Sequence, residues 1–528
     1  MPHRSLILSR RLLVSATCAF TCAFAYTTPH AQSVDKDTIV AAFGAESTTL
    51  NPVKISGGVD YYFVSQIFET LTRSDPDFQK INWLAKDWEI DNEDPEKPVI
   101  YVELRDDVYF HNGDKMTSED VQFSFDYMQE SGFFKHYIAS VEKVEIIDPL
   151  RVAIHFNKPD ASFVSNDFRI YILPKKYFNE VGEEEFGKRP VGTGPWQLES
   201  RKVKEEIRFK RFEDYWNKEH QPKIDNFVIK VIPEDTTRVS AFKTGKVDWI
   251  DNVPPAQVED IKALPDVATT TVISGNNLLL NFPTYDESTP FYKREVRLAI
   301  AHALDMEAII KSVLFEQGQA YAQVGEGEVG YDPDLEPYEY NPEMARELLA
   351  KAGYPNGFDT PCYNLITPRE PNVKEVGEAM FAYLSAVGIR CQLRGLEYGA
   401  WLALGKRAGE TPMNGIINWM WSHGLPGDPG TAWLGHWASY DQETGTGTYS
   451  YDNNPEADAL LAQQNTIMDP EERDDLVRKL VHMKQEGAEG GIPTYRPMVT
   501  FAWRDNLDYT MWPIRDYWRS FQEVNWKD

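Results

Sequence analysis

The chain has 528 residues, is 42% hydrophobic and 26% charged, and carries a formal net charge of -28. Such acidity disfavours nucleic acid and anionic membrane as partners and accords with simple solubility. Beyond the N-terminal segment no stretch approaches the about 20 uninterrupted apolar residues that a membrane helix needs.

Arg4, Arg10 and Arg11 precede an apolar run from Leu12 to Ala25 that contains no charged residue. The run is too short to span a bilayer, and Ala23-Phe24-Ala25 places small residues at the spacing a signal peptidase reads. A second cut falls near Ala31-Gln32-Ser33, so residues 1–33 are predicted to be a cleaved signal peptide. Ser9-Arg10-Arg11-Leu12-Leu13 also resembles a twin-arginine signal, which leaves both export routes open. Thr17 and Thr21 stand before Cys18 and Cys22, where a lipoprotein signal prefers a smaller residue. The mature chain of about 495 residues is therefore expected to be free in the periplasm, with room for two or three domains.

Further along, Val99 to Leu104 and Val152 to Phe156 read as strands, and Ser118 to Met128 as a helix whose first residues are a hydroxyl and two acids. Glu343 to Ala352 predicts a helix stopped by Gly353, and Pro470 to about Lys484 another, led by Asp469 as N-cap. Strand-like and helical runs alternate throughout, so the class is α/β or mixed α+β. No internal repeat or low-complexity linker separates the segments, which predicts intertwined domains.

Once the signal leaves, only Cys362 and Cys391 remain. They lie in two extended segments, 359–366 and 388–393, flanking a helical run from Val373 to Val387 with Val376, Met380, Tyr383, Leu384 and Val387 on one side. A strand-helix-strand unit sets its parallel strands side by side, so a structural disulfide is expected in an oxidising compartment. No Cys-x-x-Cys outside the signal suggests a redox centre.

A series of short motifs runs the length of the mature chain. It comprises Leu50-Asn51-Pro52, the segment Gln66 to Leu71, Val108 to Gly113, Met116 to Ser124, Pro190-Val191-Gly192-Thr193-Gly194-Pro195-Trp196, Asp214-Tyr215-Trp216, Ala241 to Asp248, Val296 to Asp305, Tyr340 to Glu343 and Leu348 to Tyr354. Taken singly each has a structural reading. Gly192, Gly194 and Pro195 suit a tight crossing in which glycine permits positive φ; the hydroxyls and acids of 116–121 suit a helix start; Tyr215 and Trp216 suit a packed corner better than a sugar platform. In this order, the motifs resemble the extracellular solute-binding proteins of family 5, which include oligopeptide-, dipeptide- and nickel-binding proteins.

The resemblance implies a two-lobed periplasmic-binding-protein fold with three domains and a ligand cleft between the lobes. Lobe one would take 34–277 plus 497–528, with an inserted subdomain near 56–190, and lobe two 278–496. The chain would cross between lobes near Asn277-Leu278-Leu279-Leu280-Asn281 and near Pro493-Thr494-Tyr495-Arg496-Pro497. It further implies a non-enzymatic, monomeric protein without a cofactor, handing a peptide or peptide-like solute to the permease subunits of an ABC importer. Oligosaccharides, opine-like solutes and metal chelates are the alternative ligands, and an exported hydrolase is the enzyme-class rival.

Arg369, in the loop Thr367-Pro368-Arg369-Glu370-Pro371-Asn372, resembles a carboxylate-binding arginine of dipeptide-binding relatives; the plain alternative is a solvated arginine paired with Glu370. Trp419 matches a tryptophan at the end of a strand in peptide-binding relatives. Three residues later those relatives place an aspartate that receives the peptide amine, whereas this chain has Ser422. Asp428 resembles a second, structural acid, so the resemblance implies that the ammonium anchor is missing and that Ser422 or His423 hydrogen-bonds a neutral or hydroxylated group. Trp421 reads equally as core or as a stacking face. Tyr495 matches an aromatic of the return crossing, and Tyr398 and Trp401 fall in a segment that approaches the cleft in relatives. With 14 Trp, 26 Tyr and 27 Phe in the chain, most rings must be core.

Other chemistries find little support. Gly325-Glu326-Gly327-Glu328-Val329-Gly330 fits a dinucleotide-binding pattern only on paper, since its glutamates would repel a pyrophosphate and no helix opens at the last glycine. The ten histidines show no metal-site spacing, and no Gly-x-Ser-x-Gly elbow is present.

Overall fold

The computed structural model describes residues 37–527 except 48, 56–57, 75–79, 133–134, 166–169, 327, 368–369, 407–412, 423–429, 442–446, 510–520 and 523. The expected signal segment lies outside the described residues. Among those described, no helix is long and apolar enough to cross a membrane.

The first half opens with β1 (Thr38–Phe43), which enters a large sheet. A separate four-stranded antiparallel sheet follows, made of β2 (Ala85–Asp91), β3 (Val99–Leu104), β4 (Val141–Asp148) and β5 (Arg151–Phe156) in the order β2-β3-β5-β4. In β3 the alternation decides the faces: Ile100, Val102 and Leu104 are buried, while Tyr101 and Glu103 are exposed. Covering this sheet is α1 (Ser118–Ser131), whose cap is Thr117, one residue earlier than the sequence suggests, with the Asp120 carboxylate accepting from the Thr117 amide at 2.9 Å. A short helix, α2 (Ala161–Ser165), comes next. The chain then re-enters the large sheet through β6 (Trp196–Lys202), β7 (Glu206–Arg211), β8 (Asn226–Val231), β9 (Trp249–Ile250) and β10 (Val267–Ile273).

The second half begins at β11 (Asn276–Asn281) and continues through β12 (Gly318–Ala320), α3 (Pro342–Lys351), β13 (Phe358–Leu365), α4 (Val373–Ala386), β14 (Ile389–Leu396), α5 (Tyr398–Gly405), β15 (Ile416–Ser422), α6 (Gly430–His436), α7 (Pro455–Gln464) and α8 (Pro470–Gly487). Asp469 caps α8, accepting from Glu472 N at 2.9 Å. The fully buried Lys484 near the end of α8 pairs with Asp452 at 2.9 Å, itself held by Thr284 Oγ1 at 2.6 Å. A long last strand, β16 (Ile492–Arg504), returns to the first half.

The large sheet has the order β14-β13-β15-β11-β16-β9-β1-β8-β7-β6, with β10 and β12 also paired to β16. Two main hydrophobic cores lie against it. One draws on residues between 39 and 249 and between 499 and 524; the other runs from Leu278 to Tyr495. A smaller cluster gathers Ala42, Val239, Phe242, Ile250 and Ala502. No residue is common to the two main cores, so the chain passes from one to the other only at the β10–β11 junction and within β16.

The glycines of the 190–196 motif serve close approach, not unusual φ. Neither Gly192 nor Gly194 has positive φ, but an added Cβ would sit 2.1 Å from Ile67 O at Gly192 and 2.6 Å from Gln66 O at Gly194. His111 completes this crossing, with Nε2 at 2.9 Å from Gly194 O and Nδ1 accepting from Gly192 N at 3.4 Å. Burial pushes its imidazole down to about 4, the bond to Gly194 acting in the opposite direction. Below it, Glu69 is buried and accepts from Trp83 Nε1, Tyr215 Oη and Trp216 Nε1 at 2.6, 2.7 and 3.1 Å, so Tyr215 and Trp216 form a packed corner. Burial raises the Glu69 carboxyl, and those three donors oppose the rise.

Parallel β13 and β14 bring Cys362 and Cys391 together in a disulfide, with a Cα separation of 5.3 Å. Between them α4 buries Val373, Val376, Met380, Phe381 and Leu384, and Val387 just beyond its end is buried too. The tyrosine expected on this face, Tyr383, is only partly buried and packs edge-on against Tyr340.

Two outcomes follow. In protein from an oxidising compartment, a non-reducing peptide map should yield the 362–391 linkage, and Cys362→Ser with Cys391→Ser should lose about 3 to 4 kcal/mol in denaturant unfolding, as expected for a loop of this length. For His111, the native ring stays neutral while the unfolded chain takes up a proton near pH 6.5. Its contribution is therefore complete above about pH 6.5 and lost as the pH falls toward about 4, by up to about 3 kcal/mol. The urea midpoint of His111→Gln should decline less steeply across that window than that of the parent chain.

Candidate functional site

Strands β13 and β14 are parallel, and so are β13 and β15, so their C-terminal ends lie on one edge of the sheet. In open α/β sheets this edge is where ligands bind. Antiparallel β11 starts where β15 ends, with Asn276 opposite Ser422, and β16 lies on its other side with Tyr495 opposite Leu278. The edge therefore coincides with the two passages between the cores.

Several sequence-predicted positions converge here. The loop after β13 is tied to the start of α5, because Thr367 Oγ1 donates to Glu397 Oε2 at 2.8 Å and accepts from Tyr398 N at 2.9 Å. Tyr398 is partly exposed at that edge. Arg369 and His423 lie outside the described residues; of Ser422, the backbone pairing is described. Tyr495 is fully buried, and its hydroxyl has no hydrogen-bond partner among the described residues. Its phenol is pushed well above the ordinary range, first by burial and then by the nearby charge of Glu370.

The three candidate tryptophans sit deeper. Trp401, Trp419 and Trp421 are 2, 2 and 5% exposed. Trp401 stacks on Trp419 with centroids 4.1 Å apart, and its indole N–H donates to Asn418 O at 2.8 Å. Gly405 leaves room for Trp419, since a Cβ there would lie 2.0 Å from the indole. Trp421 stacks on His436 at 4.9 Å and meets Trp437 edge-on at 6.4 Å. These rings are engaged with one another under α5 and α6. The indole N–H of Trp419 has no acceptor among the described residues.

Sequence reasoning passed over the polar groups beside them. Asn276 Nδ2 donates to Glu370 Oε1, and Glu370 is only 8% exposed. One residue on, Arg496 Nε donates to Asn277 Oδ1 at 2.7 Å while Nη2 binds Glu328, and the guanidinium lies 5.4 Å from the Tyr321 ring. Arg496 and Glu328 are each 5% exposed, and burial pushes the guanidinium down to about 10. Two residues of the Gly325–Gly330 segment meet this arginine: besides the Glu328 contact, a Cβ on Gly325 would sit 1.8 Å from Arg496 Nη1, and Gly325 N donates to Glu328 Oε2 at 3.0 Å. The signal available in sequence was two adjacent asparagines at the head of an otherwise apolar strand. Among the described residues no three His, Cys, Asp or Glu side chains are grouped as metal ligands.

Residues 80–464 match the family described as bacterial extracellular solute-binding proteins, family 5 Middle. Heme-binding protein A of Haemophilus influenzae is 28% identical over 513 residues, 90% of each chain. Di/tripeptide-binding protein 3 of Pseudomonas aeruginosa is 28% identical over 468 residues, covering 83% of this chain and 85% of the relative. The fold matches that of the ABC transporter-associated periplasmic binding protein DppA of Helicobacter pylori, solved with the peptide STSA. The TM-score is 0.77 at 24% identity, over 93% of this chain and 98% of that one.

The ion pair makes a specific prediction. Arg496→Met leaves Glu328 buried without its cation and should cost about 3 to 5 kcal/mol in chemical denaturation, whereas the double variant with Glu328→Gln should regain a large part of that loss.

Proposed function

This chain belongs to the family 5 bacterial extracellular solute-binding proteins, and from that premise we propose that it captures a peptide or peptide-like solute in the periplasm and delivers it to the permease subunits of an ABC importer. The observation that carries the reading is the convergence of three strand ends on the two passages between separate hydrophobic cores. A solute bound at that edge touches both halves at once and favours the arrangement in which they are closed.

In this reading the halves are lobe one, 34–277 plus 497–528 with an inserted subdomain near 56–190, and lobe two, 278–496. Residues 1–33 direct export and are removed, and the mature protein works as a monomer that binds without turnover. Arg369 holds a ligand carboxylate, and Tyr398, Ser422, His423 and Tyr495 line the cleft. Trp401, Trp419 and Trp421 shape it from behind, because their faces are covered by other rings. The di/tripeptide-binding relative supports a peptide in preference to a sugar or opine, and so does the absence, among the described residues, of a broad exposed indole face at this edge.

A contact away from the crossing supports closure. The first N–H of α2, on Ala161, donates to Asn465 O at the end of α7 at 3.0 Å, joining one half to the other. Calorimetry with di- and tripeptides should detect binding, mass spectrometry should recover them uncleaved, and small-angle scattering should show a smaller radius of gyration at saturation. Ala161→Pro removes that donor while suiting the first helical position, and should weaken binding about fivefold, the effect of about 1 kcal/mol. An unchanged radius at saturation would count against closure; released amino acids would count for a hydrolase.

A further inference from the structure

We infer that Phe315 is a contact residue for the captured solute, presenting an aromatic ring that selects an apolar side chain at the junction of the two halves. The inference rests on the solute-binding reading and adds to it a residue and a preference.

The helix Met306–Val313 ends in a turn, Leu314 to Gln317, that leads into β12. The sheet register fixes where this turn stands. Tyr495 of β16 lies opposite Leu278 of β11 on one side and Ala320 of β12 on the other. Two residues outward, β11 reaches Asn276, opposite Ser422 at the end of β15, and β12 reaches Gly318. Gly318 is therefore in the row that forms the ligand-facing edge, and the turn lies just past it. Hydrogen bonds hold the turn from both sides. Asn372 Nδ2, from the loop that follows β13, donates to Val313 O at 2.7 Å. Gln317 O accepts from Met498 N at 3.2 Å and Gln317 Oε1 from Thr500 Oγ1 at 2.9 Å, where β16 has begun to serve the other core.

Within this turn the backbone takes a form ill suited to the side chains it carries. Phe315 and Glu316 have φ of 51° and 66°, a region that glycine occupies freely and a bulky residue only at a cost. The Glu316 amide closes onto Ile310 O at 3.1 Å, the arrangement in which helices usually end on glycine. The interior makes no use of the ring. Phe315 is 51% exposed, belongs to none of the three hydrophobic clusters and packs against no other ring among the described residues. Backbone strain that is held in place from both sides gathers where a side chain has to be presented. A ring carried on so constrained a turn loses little entropy on contact, and an apolar group of the solute laid against it removes both surfaces from water.

The test titrates the full mature chain with the dipeptides Ala-Phe and Ala-Ala by calorimetry, comparing the parent protein with Phe315→Ala, Phe315→Leu and Phe315→Gly. The parent should bind Ala-Phe about tenfold more tightly than Ala-Ala. Phe315→Ala should remove that preference by weakening Ala-Phe and leaving Ala-Ala nearly unchanged, and Phe315→Leu, which keeps an apolar side chain, should retain part of it. Phe315→Gly should lose the preference as Phe315→Ala does, yet melt at a higher temperature than Phe315→Ala, because glycine relieves the backbone. That pair separates recognition from folding. Equal weakening of both peptides by Phe315→Ala would assign the residue to shaping its turn, and unchanged binding of both would make the ring plain surface. A parent without preference reads no apolar side chain, and a Phe315→Gly melt no higher than that of Phe315→Ala would mean an unstrained turn. Each of these four results overturns the inference and leaves peptide capture intact. Binding of neither dipeptide by the parent overturns peptide capture and the inference together.

Discussion

One strand belongs to both halves of this protein, and much else depends on it. Ile492 to Arg504 pairs at its start with β11 and toward its end with β9 and β10, while its side chains change cores between Tyr495 and Val499. A thirteen-residue strand with ladder partners along its length ties the two cores together where its side chains change from one to the other. Arg496 stands at that point. Its guanidinium fastens the strand to Asn277 on the other passage and to Glu328 in the glycine-rich loop. Burying a guanidinium is tolerable only with full partners, so Gly325, the asparagine and the glutamate are all fixed by the need to satisfy one arginine.

The site divides its tasks between rigid and polar parts. Disulfide-linked β13 and β14 set the positions of the two loops that follow them, and Thr367 ties those loops together. Behind this frame the indoles pack against one another and are buried. At the strand ends, where the sheet's own hydrogen bonding stops, the Glu370 carboxylate, the Asn276 amide and the Thr367 hydroxyl take up side-chain hydrogen bonds instead. The frame is thus specified by packing, and these polar side chains lie at its edge.

The local pieces were legible from short-range pattern. Alternation gave β3, the Asp469-Pro470 pair gave the start of α8, and two surviving cysteines on either side of one helical run gave the disulfide, because each of these signals acts over a few residues or one short loop. Ordered motifs along the chain likewise gave the family. The rest depends on long-range packing. Trp401, Trp419 and Trp421 read as candidates for contact until their burial was known, and periodicity cannot tell a ring that faces a core from one that faces a cleft. Gly192 and Gly194 looked like turn glycines, but it is the end of a helix distant in sequence, the Gln66–Ile67 backbone, that excludes a side chain there.

 Arg496, Glu328 and Glu370 were each visible as charged residues, yet nothing local marks a charge as buried. Their partners Asn277 and Asn276 lie far from them in sequence, and only the sheet, by setting β11 between β15 and β16, brings donor and acceptor within reach. Local pattern fixes what each segment is, but charge burial depends on which distant segment the chain folds against it.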